Sequence, residues 1–215
     1  MMIPGRSYRI SNRIGHLTVE KAAALVLALL ILAVVWYRFQ PVKFKDGQVA
    51  PDCPRQKILD GEPSFEQGGY RITPLASFEL EALVLGAKHY SWGRTGRLVP
   101  VDLALGWGPM SDGRIVRKIG IHQYNRFYHW WTRTSIIQRR DVEIHSANMH
   151  LIPAREEVAR EMKKVKRGQV VSLEGYLVNV KGEDGWSWTT SLTREDIGWG
   201  ACELIWVEDF SVRTP

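Results

Sequence analysis

Between Lys21 and Arg38 the chain carries no charge for 16 residues, Ala22 to Tyr37, reading AAALVLALLILAVVWY. A helix apolar on every face over four turns has no wet side, so it needs lipid or a large protein core around it. Sixteen residues rise only about 24 Å against a hydrocarbon core of roughly 30 Å. Leu17–Val19 and Phe39 lengthen the run, and Lys21 and Arg38 can snorkel, which predicts a membrane helix over residues 17–40 contacting the lipid bilayer. Trp36 and Tyr37 suit one interface. A cleaved leader is disfavoured, because the run ends in bulky Val34–Phe39 and Ala50 has Gln48 two places before it. Cys53 follows Ala50-Pro51-Asp52 with no apolar lead, so it is not a lipid-attachment site.

Orientation follows the flanking charge. Arg6, Arg9, Arg13 and Lys21 precede the span and Arg38, Lys43 and Lys45 follow it. A short basic tail, a signal-anchor and a large downstream domain predict a cytoplasmic N-terminus and an exported C-terminal domain. The formal net charge of +6 invites a nucleic-acid reading until it is placed. Residues 1–40 hold five basic side chains and one acidic, leaving 24 against 22 in the remainder. The excess therefore meets lipid headgroups, and a polynucleotide partner is disfavoured. The composition, 45% hydrophobic and 24% charged with 2 Cys, also excludes disorder and a cysteine-stapled miniprotein.

The chain divides into a basic tail (1–16), the membrane helix (17–40), an extended linker containing Pro41, Pro51, Pro54 and Pro63 (41–69), and a β-rich soluble domain (70–215). In the last, apolar runs at 76–85, 98–105, 115–121, 142–144, 170–180, 186–191 and 202–207 alternate with turn residues and read as strands. Gly175 interrupts the clearest of them as a bulge would. Pro153 to Lys166 reads as the one packed helix, with Pro153 at its first position, Glu156 and Glu157 in its first turn and Val158, Met162 and Val165 as its apolar stripe. The fold class expected is mainly β, a small barrel or strongly curved sheet, OB-like in its helix-to-strand step.

Three stretches, Val101–Asp112 (VDLALGWGPMSD), His145–Ala154 (HSANMHLIPA), and Ser191–Arg194 (SLTR) with Gly200–Glu203 (GACE), resemble a family of uncharacterised bacterial single-pass inner-membrane proteins. The resemblance covers about residues 70–210. It implies bacterial origin and inner-membrane anchoring, and it transfers no catalytic residue.

His145 and His150, near Glu143 and His129, are the first metal candidates, yet a spacing of five puts them on opposite faces of a strand and about 140° apart on a helix. No metal centre and no cofactor are expected, and His145–Asn148 reads as a turn. Gly93–Arg97 lacks the GK[ST] ending of a phosphate loop and reads as a strand connection. Catalytic candidates to inspect are His145, His150, Glu143 and Asp102. Tyr124–Arg133 is the most unusual composition: Tyr124, Phe127, Tyr128, Trp130, Trp131 and Arg133 could stack on sugars, bases or a protein partner, or could fill a core. Cys53 and Cys202, an even pair in an exported domain, are candidates for a disulfide. The first reading is a membrane-anchored periplasmic binding module for an envelope protein or glycan. Its alternative is an envelope enzyme acting on cell-wall or glycan material near His145 and His150.

Overall fold

A computed structural model describes residues 19–193 and 202–215. The basic tail, residues 17–18 of the expected membrane helix, and Arg194, Gly200 and Ala201 of the third resembling stretch lie outside the described residues. Two compact units result, residues 1–40 and 41–215. In the first, helix α1 (Val19–Phe39) is long and apolar enough to cross a membrane, and its window Val19–Trp36 buries nothing within the protein.

The described residues of the second unit form ten strands: β1 (Arg55–Ile58), β2 (Phe65–Gln67), β3 (Tyr70–His89), β4 (Val101–Gly106), β5 (Ile119–Tyr124), β6 (Phe127–Thr132), β7 (Ser146–Pro153), β8 (Val170–Gly182), β9 (Ser187–Trp188) and β10 (Leu204–Arg213). Strand β3 pairs with β8 along residues 70–83 and with β4 along 83–89. Its length lets one strand serve both edges of a curling sheet. The ring runs β3-β4-β7-β10-β8 and returns to β3, antiparallel throughout except for the parallel pair β7 and β10. Strands β1 and β2 pair with β3, β9 pairs with β8, and β5 with β6 forms a separate hairpin.

Period-two alternation fills the ring. Ala76, Phe78, Leu80, Ala82 and Val84 of β3 point inward, as do Val101, Leu103 and Leu105 of β4 and Met149 and Leu151 of β7. The stripe Val158, Met162 and Val165 joins this core, each side chain worth about 1.5–3 kcal/mol of burial. Its helix is shorter than the sequence suggests, however: α5 spans Glu156–Met162, and Pro153 ends β7 instead. Pro153 sits opposite Val207 at the end of the parallel ladder, where a missing N–H costs little. Nor is α5 the only helix of this unit. α2 (Gly93–Leu98), α3 (Gly113–Val116) and α4 (Arg139–Ile144) are single short helices, so 142–144 is not a strand, and Gly93–Arg97 connects β3 to β4 as a helical turn. His145 caps α4 and Ser146–Asn148 opens β7, which replaces the expected turn. Gly175 lies opposite a bulge rather than forming one, the register shifting between Val207 and Asp209 of β10.

Residues 41–69, expected as a tether, are laid against the β domain. Val42 N–H donates to Arg167 O (2.9 Å), Gly113 N–H to Lys45 O (2.9 Å) and Gly47 N–H to Asp112 Oδ1 (3.1 Å), and Ala50 is buried. Pro and Gly shape this run without freeing it. Asp112 also caps α3 through the Arg114 N–H (2.8 Å). The Arg114 side chain, followed by the backbone N–H groups of Arg114 and Gly47, draws the Asp112 carboxyl down to about 2. A depressed folded value means that this stability is complete above the unfolded carboxyl range and disappears as pH falls from about 4 to about 2. With Arg114 exposed to solvent, we expect about 1–2 kcal/mol to be lost, read as a drop in hydrogen-exchange protection at Gly47 and Arg114. Equal protection at pH 5 and pH 2 would contradict it.

Candidate functional site

Strands β4 and β7 pair so that Asp102 faces His150 and Ala104 faces Asn148. Because Leu103 and Met149 point into the ring, these four side chains point out of it, yet Asp102, Asn148 and His150 are buried. The cover is the β5–β6 hairpin. Its two-residue turn puts Asn125 (φ 49°) and Arg126 (φ 68°) in the left-handed region, as a type I′ hairpin requires. Asn tolerates that backbone readily, whereas Arg does so at a cost of about 1–3 kcal/mol unless its surroundings hold it.

They do hold it. Arg126 Nη1 donates to Asp102 Oδ1 (2.7 Å) and to Val99 O (3.0 Å), and its guanidinium carbon lies 3.5 Å from the centre of the Tyr90 ring. Asn148 Nδ2 donates to Arg126 O (2.8 Å), while Gln123 Nε2 donates to Asn148 Oδ1 (2.8 Å). Asp102 Oδ1 also pairs with His150 Nδ1 at 2.9 Å, which fixes the imidazole tautomer when the ring is neutral. Asp102 Oδ2 is buried without a well-formed hydrogen bond, although the Tyr90 hydroxyl lies beside the carboxylate. Burial first, and then that negative charge, push the Tyr90 hydroxyl up to about 12.

Over this network runs a groove of about 770 Å³. Tyr124, Asn125, Arg126, Phe127 and His129 of the hairpin form one wall, Trp186, Ser187, Trp188 and Thr189 form the other, and His150 and Cys202 line it as well. The His150 and Trp188 rings lie 4.7 Å apart, and Trp188 meets Trp186 edge-on at 6.2 Å. Arg94 stacks on Trp186 at 4.7 Å and is ion-paired with Asp184, whose carboxyl that pairing draws down to about 2.

The structure thus divides the sequence candidates. Asp102 and His150 form a pair, but Glu143 is ion-paired with Arg139, and His145 Nδ1 lies 2.8 Å from Asp141 O with its ring against Gly108. Strand alternation splits the aromatic run too. Tyr124 and Phe127 line the groove, whereas Tyr128 and Trp130 pack against the core under the hairpin. The Tyr128 hydroxyl, 2.6 Å from Ser146 Oγ, is pushed up to about 12 chiefly by burial. Trp131 lies over Gly120, where a Cβ would stand 2.1 Å from the ring, and Arg133 is exposed. Cys53 and Cys202 are not joined in a disulfide. Cys53 is exposed in a separate groove beside Glu79, and Cys202 lines the aromatic one. Among the described residues no group of three metal-ligating side chains gathers.

Sequence reasoning missed Arg126, Tyr90 and Gln123. The signal for the pair was present: Asp102 between Val101 and Leu103, and His150 between Met149 and Leu151, are polar residues flanked by apolar ones. Fold and site together define a curved β domain with an aromatic surface groove. No family model matches the chain, and neither a curated protein nor a solved structure matches it.

Proposed function

We propose that the chain is a bacterial inner-membrane protein whose α1 anchors an OB-type binding domain in the periplasm, where the aromatic groove contacts an envelope component. The OB-type assignment rests on the strand order β3-β4-β7-β10-β8, the parallel pair β7 and β10, and α5 between β7 and β8 in the chain. The observation that carries the binding role is the groove's position. It lies over the outer face of the second and third ring strands and draws a wall from the segment before the last, which is where OB barrels take ligands. The near-neutral charge of residues 41–215 supports an envelope partner over a polynucleotide.

A reporter that is active only outside the cytoplasm, fused after Pro215, is expected to be active. Strong signal from a cytoplasm-only reporter at that site would reverse the topology. The second reading, an envelope enzyme, draws on the Asp102–His150 pair beside Cys202, an arrangement that orients an imidazole at a groove. Glycan turnover that survives His150→Ala would dismiss it.

A further inference from the structure

The lining of the groove is uncharged in effect. Among the described residues around it Arg126 is the one formal cation, and Asp102 already neutralises it at 2.7 Å. The nearby Arg94 is likewise paired with Asp184. What remains is aromatic surface from Tyr124, Phe127, Trp186 and Trp188, with amide, hydroxyl and imidazole groups from Asn125, Ser187 and His129.

We infer that the groove binds an uncharged pyranose-ring oligosaccharide, its C–H faces on the aromatic rings and its hydroxyls on the neutral polar groups. A phosphodiester chain needs free cations to replace its counterions, and among the described residues the groove offers one guanidinium whose charge is spent internally. A protein partner needs about 800 Å² of surface from each side, while this site is a cleft between a hairpin and a short strand. Sugar rings match the lining on both counts. They present an apolar face to indole and phenol rings, and they present donors and acceptors without charge at their rim. The 770 Å³ volume falls within the range of small-ligand sites and admits a few rings.

The inference rests on the groove being the contact surface, so the experiment separates the two. The full chain in lipid nanodiscs, free of sugar-headed detergent, is titrated with chitohexaose, cellohexaose and a ten-nucleotide oligothymidine, by calorimetry at 50 and 500 mM NaCl. At least one hexaose should bind with affinity changing less than about twofold between the two salts. Tyr124→Ala, at a side chain already 62% exposed, should weaken it roughly tenfold, and Trp131→Ala, outside the groove, should leave it unchanged. Oligothymidine binding that falls steeply with salt and is lost in Tyr124→Ala would overturn the ligand class and keep the groove. Hexaose binding indifferent to Tyr124→Ala would overturn the groove itself. Binding of none of the three probes would overturn the inference as it stands.

Discussion

Replacing Asp102 with alanine should cost about 3–5 kcal/mol of folding stability, because it leaves the buried His150 ring without its partner and the largely buried Arg126 charge uncompensated, with only the Val99 carbonyl to accept from it. For a domain of this size that is a fall of roughly 6–20 °C in Tm, readable by calorimetry. Asp102→Asn keeps the shape and an acceptor oxygen but removes the charge, so it should fall between wild type and alanine. The loss should also be local. With Asp102 gone, the left-handed Arg126 backbone loses an anchor, and amide protection at Tyr124–Phe127 should drop more than protection in β3 or β8. A double-mutant cycle with Arg126→Ala should return strong coupling. A cost for Asp102→Ala below about 1 kcal/mol would mean that the hairpin is held by its apolar face alone.

A second large effect is expected at Gly175. A Cβ there would stand 1.9 Å from the Trp206 carbonyl oxygen, a main-chain atom of β10 held opposite by the bulge at Val207–Asp209. Flexible side chains can step aside, but a paired backbone cannot without giving up its ladder. Gly175→Ala should therefore cost about 3 kcal/mol or more, at or beyond the upper end for overpacking. Gly185→Ala is the control. Gly185 has φ +83° but nothing within 4 Å of a new Cβ, so only the backbone penalty of about 1–2 kcal/mol applies. Equal losses at the two positions, by denaturant unfolding, would show that β8 and β10 separate at little cost.

These two sites also show how far the sequence alone reaches. Val170–Val180 was legible as a long run rich in Val and Leu, and strands with clear alternation, such as Ala76–Ala82, were legible because each residue reports its own face. The stripe Val158, Met162 and Val165 was legible for the same reason. The stretch Val142-Glu143-Ile144 was not, since two apolar residues around one Glu fit strand and helix equally, and the structure makes it the end of α4. The docking of residues 41–69 depends on bonds such as Gly47 to Asp112 and Val42 to Arg167, which connect positions far apart in the chain and leave no local trace. At the site, His150 and Asp102 were singled out by residue type, but their partnership follows from the β4–β7 register. Arg126 was hidden more deeply. Its neighbours suggested an aromatic surface, and only the hairpin turn shows that it reaches back to a carboxylate 24 positions earlier.

The parallel partner of β7 is β10, which follows the other ring strands in the chain, and it lies between β7 and β8 rather than at a margin. During vectorial synthesis the rest of the ring can assemble early, but both flanks of the gap stay open until Leu204–Arg213 emerges. Two apolar strands with unpaired N–H and C=O groups then wait side by side, each a template for a strand from another chain. A nascent or truncated chain ending before Leu204 would present both at once. The closing strand is thus also the molecule's protection against pairing with its own copies.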